Sequence, residues 1–146
     1  MKDFFIDKFE FDFESNRIWT ENLMNNEDEL TPFILNSMSH IINVHHIWNM
    51  RLLQETPESG IWDSLPIDFF NKFHFNNYQT TINFLENHEI EEKINYHDSE
   101  GVPLEKFSID ILYHILNHSN YHRGQINLEL KHLNISPSVS NFIFFK

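Results

Sequence analysis

Ten histidines in a chain of 146 residues are the side chains best placed to do chemistry. His118 and His122 stand four residues apart. On an α-helix that puts them about 40° apart on one face, a spacing that lets two imidazoles reach one metal ion. His114 stacks one turn earlier on roughly the same side. The pair lies on the stripe that carries Ile111 and Ile115, which must face a core. A second group, His40, His45 and His46, stands earlier in the chain. There the stripe of Met38, Ile41, Trp48 and Leu52 takes in His45, leaves His46 at its edge and turns His40 nearly opposite. His45 is therefore the expected inward histidine. Three inward imidazoles have two readings. Each finds a hydrogen-bond partner in the core, or together they ligate a divalent ion. Three desolvated imidazoles are hard to satisfy by hydrogen bonds alone, which favours the ion.

Three neutral imidazoles leave a zinc or nickel ion its full charge and at least one open position. Such a centre lowers the pKa of a bound water or substrate thiol towards neutrality, which suits hydrolysis or thiol transfer. The chain has no cysteine. Disulfides, thiolate metal sites and a cysteine nucleophile are excluded, and any thiolate must arrive with the substrate. No serine stands in a Gly-x-Ser-x-Gly setting. Gln125, within about 40–60° of the pair and one turn on, is the candidate to orient a ligand. The equal alternative is a polar residue at a cavity mouth. Glu129 shares that face but lies roughly 10 Å beyond His122 along the axis, too far to ligate. Arg123 points away and is expected to pair with an acid. Gly124 costs ~1 kcal/mol relative to Ala inside a helix, which suggests a close helix approach. Arg51 is expected in an ion pair, and Trp19 and Trp48 in the core or lining a cavity. His74, His88 and His97 sit in polar contexts, and His132 falls in a last turn, where a cation suits the helix dipole.

Apolar side chains recur every three to four residues in four runs. Ile6, Phe9, Phe13, Thr20 and Leu23 mark the first, Met38 to Leu52 the second, Tyr78, Ile82 and Leu85 the third, and Ile111 to Ile126 the fourth. Thr31-Pro32 reads as a helix start, and Thr56-Pro57-Glu58-Ser59-Gly60 closes the second helix. His97-Asp98-Ser99-Glu100-Gly101-Val102-Pro103 reads as the loop before the fourth, and Phe142-Ile143-Phe144-Phe145 as an apolar tail. Three glycines and five prolines are few for an all-β chain. Four amphipathic helices in one domain spanning residues 1–146 read as an all-α four-helix bundle. The net charge of −12 argues against nucleic acid and against an anionic membrane surface. An acidic N-terminus without a signal pattern, and no apolar run near the ~18 residues of a membrane helix, make the cytoplasm the expected compartment.

The fourth run, Ile111-Leu112-Tyr113-His114-Ile115-Leu116-Asn117-His118-Ser119-Asn120-Tyr121-His122-Arg123-Gly124-Gln125-Ile126, resembles the signature helix of the DinB (damage-inducible) superfamily of small bacterial metal-binding bundles. Ser39-His40-Ile41-Ile42-Asn43-Val44-His45-His46-Ile47-Trp48-Asn49-Met50-Arg51-Leu52 resembles its second-helix motif, and residues 16–22 more weakly its first. The resemblance covers essentially the whole chain. It implies a four-helix bundle with up-down-down-up topology, a divalent metal held by one histidine of the second helix and two of the fourth, carried over onto His45, His118 and His122, and a dimer by analogy. Some relatives resemble transferases or isomerases that use a low-molecular-weight thiol. The expected partner is thus a small-molecule substrate, with a stress-related metal- or ligand-binding protein as the non-enzymatic alternative. Many members carry an Asp after the fourth helix where this chain has Ser140-Asn141-Phe142, so no tail carboxylate is available for acid–base work.

Overall fold

A computed structural model describes residues 1–145. The chain is mostly helical: α1 spans Lys2–Asn25, α2 Pro32–Leu53, α3 Phe70–Asn87 and α4 Ser108–His132. Single 3-10 turns at Glu27–Glu29, Ile67–Phe69 and Phe142–Phe144 punctuate the connections. The start of α2 follows from its sequence. Thr31 is the N-cap, its hydroxyl accepts the Ile34 N–H at 3.4 Å, and Pro32 opens the helix, where its missing N–H costs nothing. Gln54 ends α2 in the left-handed region at φ 58°. Lys131 and His132 close α4 at its negative end.

The loop before the fourth helix is the turn of a hairpin. Strands β1, Lys93–His97, and β2, Pro103–Phe107, pair antiparallel, with Asn95 opposite Glu105. The Asp98 carboxylate accepts the N–H groups of Glu100 and Val102, and Gly101 takes φ 79° to close the turn. Only Ile94 of these strands is buried, so the alternation that marks a strand is nearly silent here. Arg51 donates to the His97 carbonyl and Gln54 to that of Asn95, tying the hairpin to the end of α2. The Arg51 guanidinium lies over the Trp48 and Tyr96 rings instead of in an ion pair.

Helices α1 and α2 each pack against both α3 and α4. The core has two apolar halves. One gathers Trp19, Leu23, Met38, Ile41, Phe70 and Ile126. The other gathers Phe9, Leu52, Phe84, Leu85, Ile111 and Ile115. Between them the middle turns of all four helices bury polar side chains: Asp12 and Asn16, His45 and Asn49, Asn77 and Thr81, Ser119 and Arg123. The segment before the apolar tail is laced to the bundle, with the Ser15 hydroxyl bonded to that of Ser140 and Asn127 pairing with Ser138 in both directions, and Phe142 and Phe145 of the tail pack on Phe11. Among the described residues no helix is long and apolar enough to cross a membrane.

Gly124 does not mark a close helix approach. A Cβ built there meets no atom within 4 Å. Gly124→Ala should therefore raise stability by roughly 0.5–1 kcal/mol through the lower backbone entropy cost, read as a thermal midpoint a few degrees higher. A lower midpoint would mean that the position is crowded.

Candidate metal centre

Three imidazoles from two helices converge at one place. His40 of α2 and His118 and His122 of α4 each offer a ring nitrogen, and the three nitrogens lie within 4.8 Å of one another. The ring centroids are 4.8 Å apart for His40 and His118, 4.7 Å for His40 and His122, and 4.4 Å for His118 and His122. His40 is buried and the α4 pair half-buried. The four-residue spacing on α4 thus brings the His118 and His122 rings together.

His45 is not in this group. Its Nε2 lies 2.8 Å from the Thr81 hydroxyl, whose single proton faces two oxygen acceptors, Asn49 Oδ1 at 2.8 Å and the Asn77 carbonyl at 3.0 Å. The hydroxyl's proton is committed, so it accepts, and His45 carries its proton on Nε2. The sequence expects His45 as the third ligand beside His118 and His122; in the structure it is His40 whose ring stands beside that pair. The reason is the position of α2. Every residue from 37 to 45 is buried, because α3, α4 and the loop carrying Ile61, Asp63 and Leu65 all pack on this helix. The Met38–Ile41 stripe is only one of its inward faces. Val44 and Ile47, four and seven residues beyond His40, are also buried and were the available signal for the second.

Second contacts fix the tautomers. His40 Nδ1 donates to the Ile61 carbonyl at 3.0 Å, so its Nε2 carries the lone pair. That Nε2 faces His118 Nε2 at 3.0 Å. His122 Nδ1 donates to Gln125 Oε1 at 2.8 Å, which frees its Nε2 in the same way. The Gln125 amide nitrogen goes on to the Tyr121 hydroxyl at 3.1 Å. Gln125 is thus committed at both ends and orients His122, as carbonyl partners orient metal-bound histidines. On the other side Trp62, from the connection between α2 and α3, stacks on His40 with centroids 3.8 Å apart and planes 7° apart. His114 lies one turn from the centre, 5.7 Å from His118 and against Trp48.

The electrostatics favour neutral, lone-pair-bearing rings. Burial pulls all three histidines below the usual imidazole range. For His118, burial first and then the neighbouring histidines bring the pKa to about 3. A set of neutral nitrogen donors, with the Nδ1 protons of His40 and His122 already placed on carbonyl oxygens, fits a divalent ion. On that geometry Gln125→Ala should weaken metal binding by ~10–100-fold while leaving the fold intact. Unchanged affinity in a metal titration would remove Gln125 from this role.

Arg123 points away from the centre, as its position on the wheel predicts. Its Nη1 bonds Asp12 at 2.6 Å, Asn16 at 2.8 Å and Ser119 at 2.7 Å, all buried. Trp19 donates to the Arg123 carbonyl, so this tryptophan is core. Burial also holds His45 at about 4 and His74 at about 3. Both values lie below the unfolded value of about 6.5. The unfolded chain therefore takes up protons first as pH falls, and stability present above pH ~6.5 is lost on the way to ~4. By pH 5 the loss is roughly 2 kcal/mol for each group, which should appear as a falling thermal midpoint in chelated protein. A midpoint constant from pH 7 to 5 would contradict the buried neutral assignment.

The DinB family model matches residues 15–139, a span that includes all three histidines of the centre. No curated protein matches the chain.

Proposed function

The chain belongs to the DinB family, and on that premise we propose that it is a metal-dependent enzyme acting on a small molecule, with one divalent ion, zinc or nickel, held by His40, His118 and His122. The observation that carries this reading is the convergence of three buried or half-buried imidazoles, two of which, His40 and His122, direct their Nδ1 protons outward onto carbonyl oxygens. The group contains three residues, and three protein ligands leave a position open for water or a substrate atom. The ion would act as a Lewis acid on an atom bound there and lower the pKa of a thiol or water.

The residues of the chain define the rest of the chemistry. His40 is fixed by Ile61, and His122 by Gln125, so the donor atoms are held in place. No carboxylate belongs to the group, so a proton given up by a thiol or water held there would have to leave to solvent or to the substrate. This suits transfer of a low-molecular-weight thiol to an electrophile, or hydrolysis. The net charge of −12 supports a small-molecule substrate over nucleic acid. An up-down-down-up bundle is part of the same reading. Along α1 and α4 the Phe9–Ile115 half of the core comes before the Trp19–Ile126 half, and along α2 and α3 after it.

The test is an assay of small electrophiles with several thiols or water, on metal-loaded and chelated protein. The expected result is turnover that disappears on chelation and returns with one equivalent of metal. Turnover that survives chelation would overturn the mechanism. A loaded centre inactive with every pair would shift the reading to a metal- or ligand-binding protein.

A further inference from the structure

Trp62 is exposed over 66% of its surface, yet it is parallel to His40 at stacking distance. A loop tryptophan this exposed loses rotamer freedom only when something holds it, and the loop around it is anchored on several sides. The Ile61 carbonyl accepts from His40 Nδ1, Asn43 Nδ2 donates to the Asp63 carbonyl at 2.8 Å, and the Leu65 N–H donates to the Ser39 hydroxyl at 3.1 Å. The Gly60 N–H reaches the Asp63 carboxylate at 2.7 Å. A side chain at Gly60 would meet Asp63 Oδ1 at 2.9 Å, so the carboxylate would have to shift to admit one. These anchors come from α2, the helix that carries His40, so the indole and the imidazole are positioned together.

The lone pair of an imidazole nitrogen lies in the ring plane. Whatever His40 Nε2 holds therefore lies in a plane parallel to the indole, and a ligand bound there comes alongside the aromatic surface of Trp62. Tyr121, also exposed, sets its ring against the His122 imidazole at 5.1 Å. Two aromatic rings open to solvent thus touch the histidine group, one on His40 and one on His122, and the group contains no carboxylate. Such a frame recognises a flat π-face by offset or edge contacts and offers an extended aliphatic chain less.

We propose that Trp62 is the substrate-binding wall of this centre, and that the favoured ligand carries an aromatic or conjugated group next to the atom that binds the metal. The inference rests on the reading of His40, His118 and His122 as a metal centre. It makes Trp62 a specificity-determining residue, with the centre itself unchanged by its removal.

Benzohydroxamate and acetohydroxamate test it, because they share one metal-binding head and differ in the group beside it. Each is titrated by calorimetry into the zinc-loaded full chain and into Trp62→Ala and Trp62→Phe, with zinc per chain measured before each titration. The expected result is a preference for benzohydroxamate ~10-fold greater in the wild type than in Trp62→Ala, the gain of one aromatic pair. Trp62→Phe should keep most of it, and acetohydroxamate should bind all three proteins alike. Equal preference in the wild type and Trp62→Ala would overturn the proposal while leaving the metal centre standing. So would zinc-loaded wild type that binds neither probe. A chain that takes up no zinc would overturn the metal reading and this proposal with it.

Discussion

The His40→Ala variant will bind zinc at least ~100-fold more weakly than the wild type, and the His45→Ala variant will bind it nearly as well. Losing an outer partner of a metal-bound histidine already costs ~10–100-fold, and losing one of three ligands costs more. His40 is the only α2 histidine in the group. His45 donates its Nε2 proton into the Thr81–Asn49–Asn77 network and packs its ring against Phe9. Its removal should instead lower stability by about 1–3 kcal/mol, because the Thr81 hydroxyl loses a buried partner. Metal affinity by competition with a chromophoric chelator, together with thermal midpoints, separates the two variants. Loss of metal in His45→Ala with retention in His40→Ala would reverse the assignment.

Asp12→Ala will lower stability by about 3–5 kcal/mol and the thermal midpoint by roughly 10 °C or more. Arg123 and Asp12 are both buried, with a 2.6 Å contact between side chains only 4% exposed. Removing the carboxylate leaves a guanidinium inside the bundle with only Asn16 and Ser119 to receive it. The energy at stake is the uncompensated charge and not the intrinsic strength of the pair. Replacing both together, Asp12→Leu with Arg123→Met, should therefore recover much of the loss. A midpoint within 2 °C of the wild type for Asp12→Ala would show that the pair is solvated.

The four helices were legible because each keeps an apolar stripe at helical spacing and because Thr31-Pro32 marks a start. The hairpin was not, because its ten paired residues bury only Ile94 and its order comes from the Asp98 turn and the Arg51 and Gln54 ties. Two of the three histidines of the group were legible for a local reason: His118 and His122 share one helix, and their spacing alone brings them together. The third histidine of the group depends on which neighbour each side of α2 meets. A wheel reports a single inward face, and α2 has two. Trp62 carried no signal, since an exposed aromatic in a loop looks like any other until the Asn43, Ser39 and His40 anchors are known. The buried polar middle of the bundle, with Asp12 and Thr81 in it, was hidden for a similar reason. Its members satisfy one another across helices, and that pairing exists only in the fold.

The most direct measurement is an anomalous difference map from a crystal of the full chain grown with one equivalent of zinc or nickel. The predicted result is a single strong peak within about 2.0–2.2 Å of a ring nitrogen of each of His40, His118 and His122, with Gln125 still bonded to His122 and a non-protein atom in the remaining position. A peak at His45, a peak on carboxylates, or a metal-free histidine group in a crystal whose metal content is one per chain would contradict the assignment.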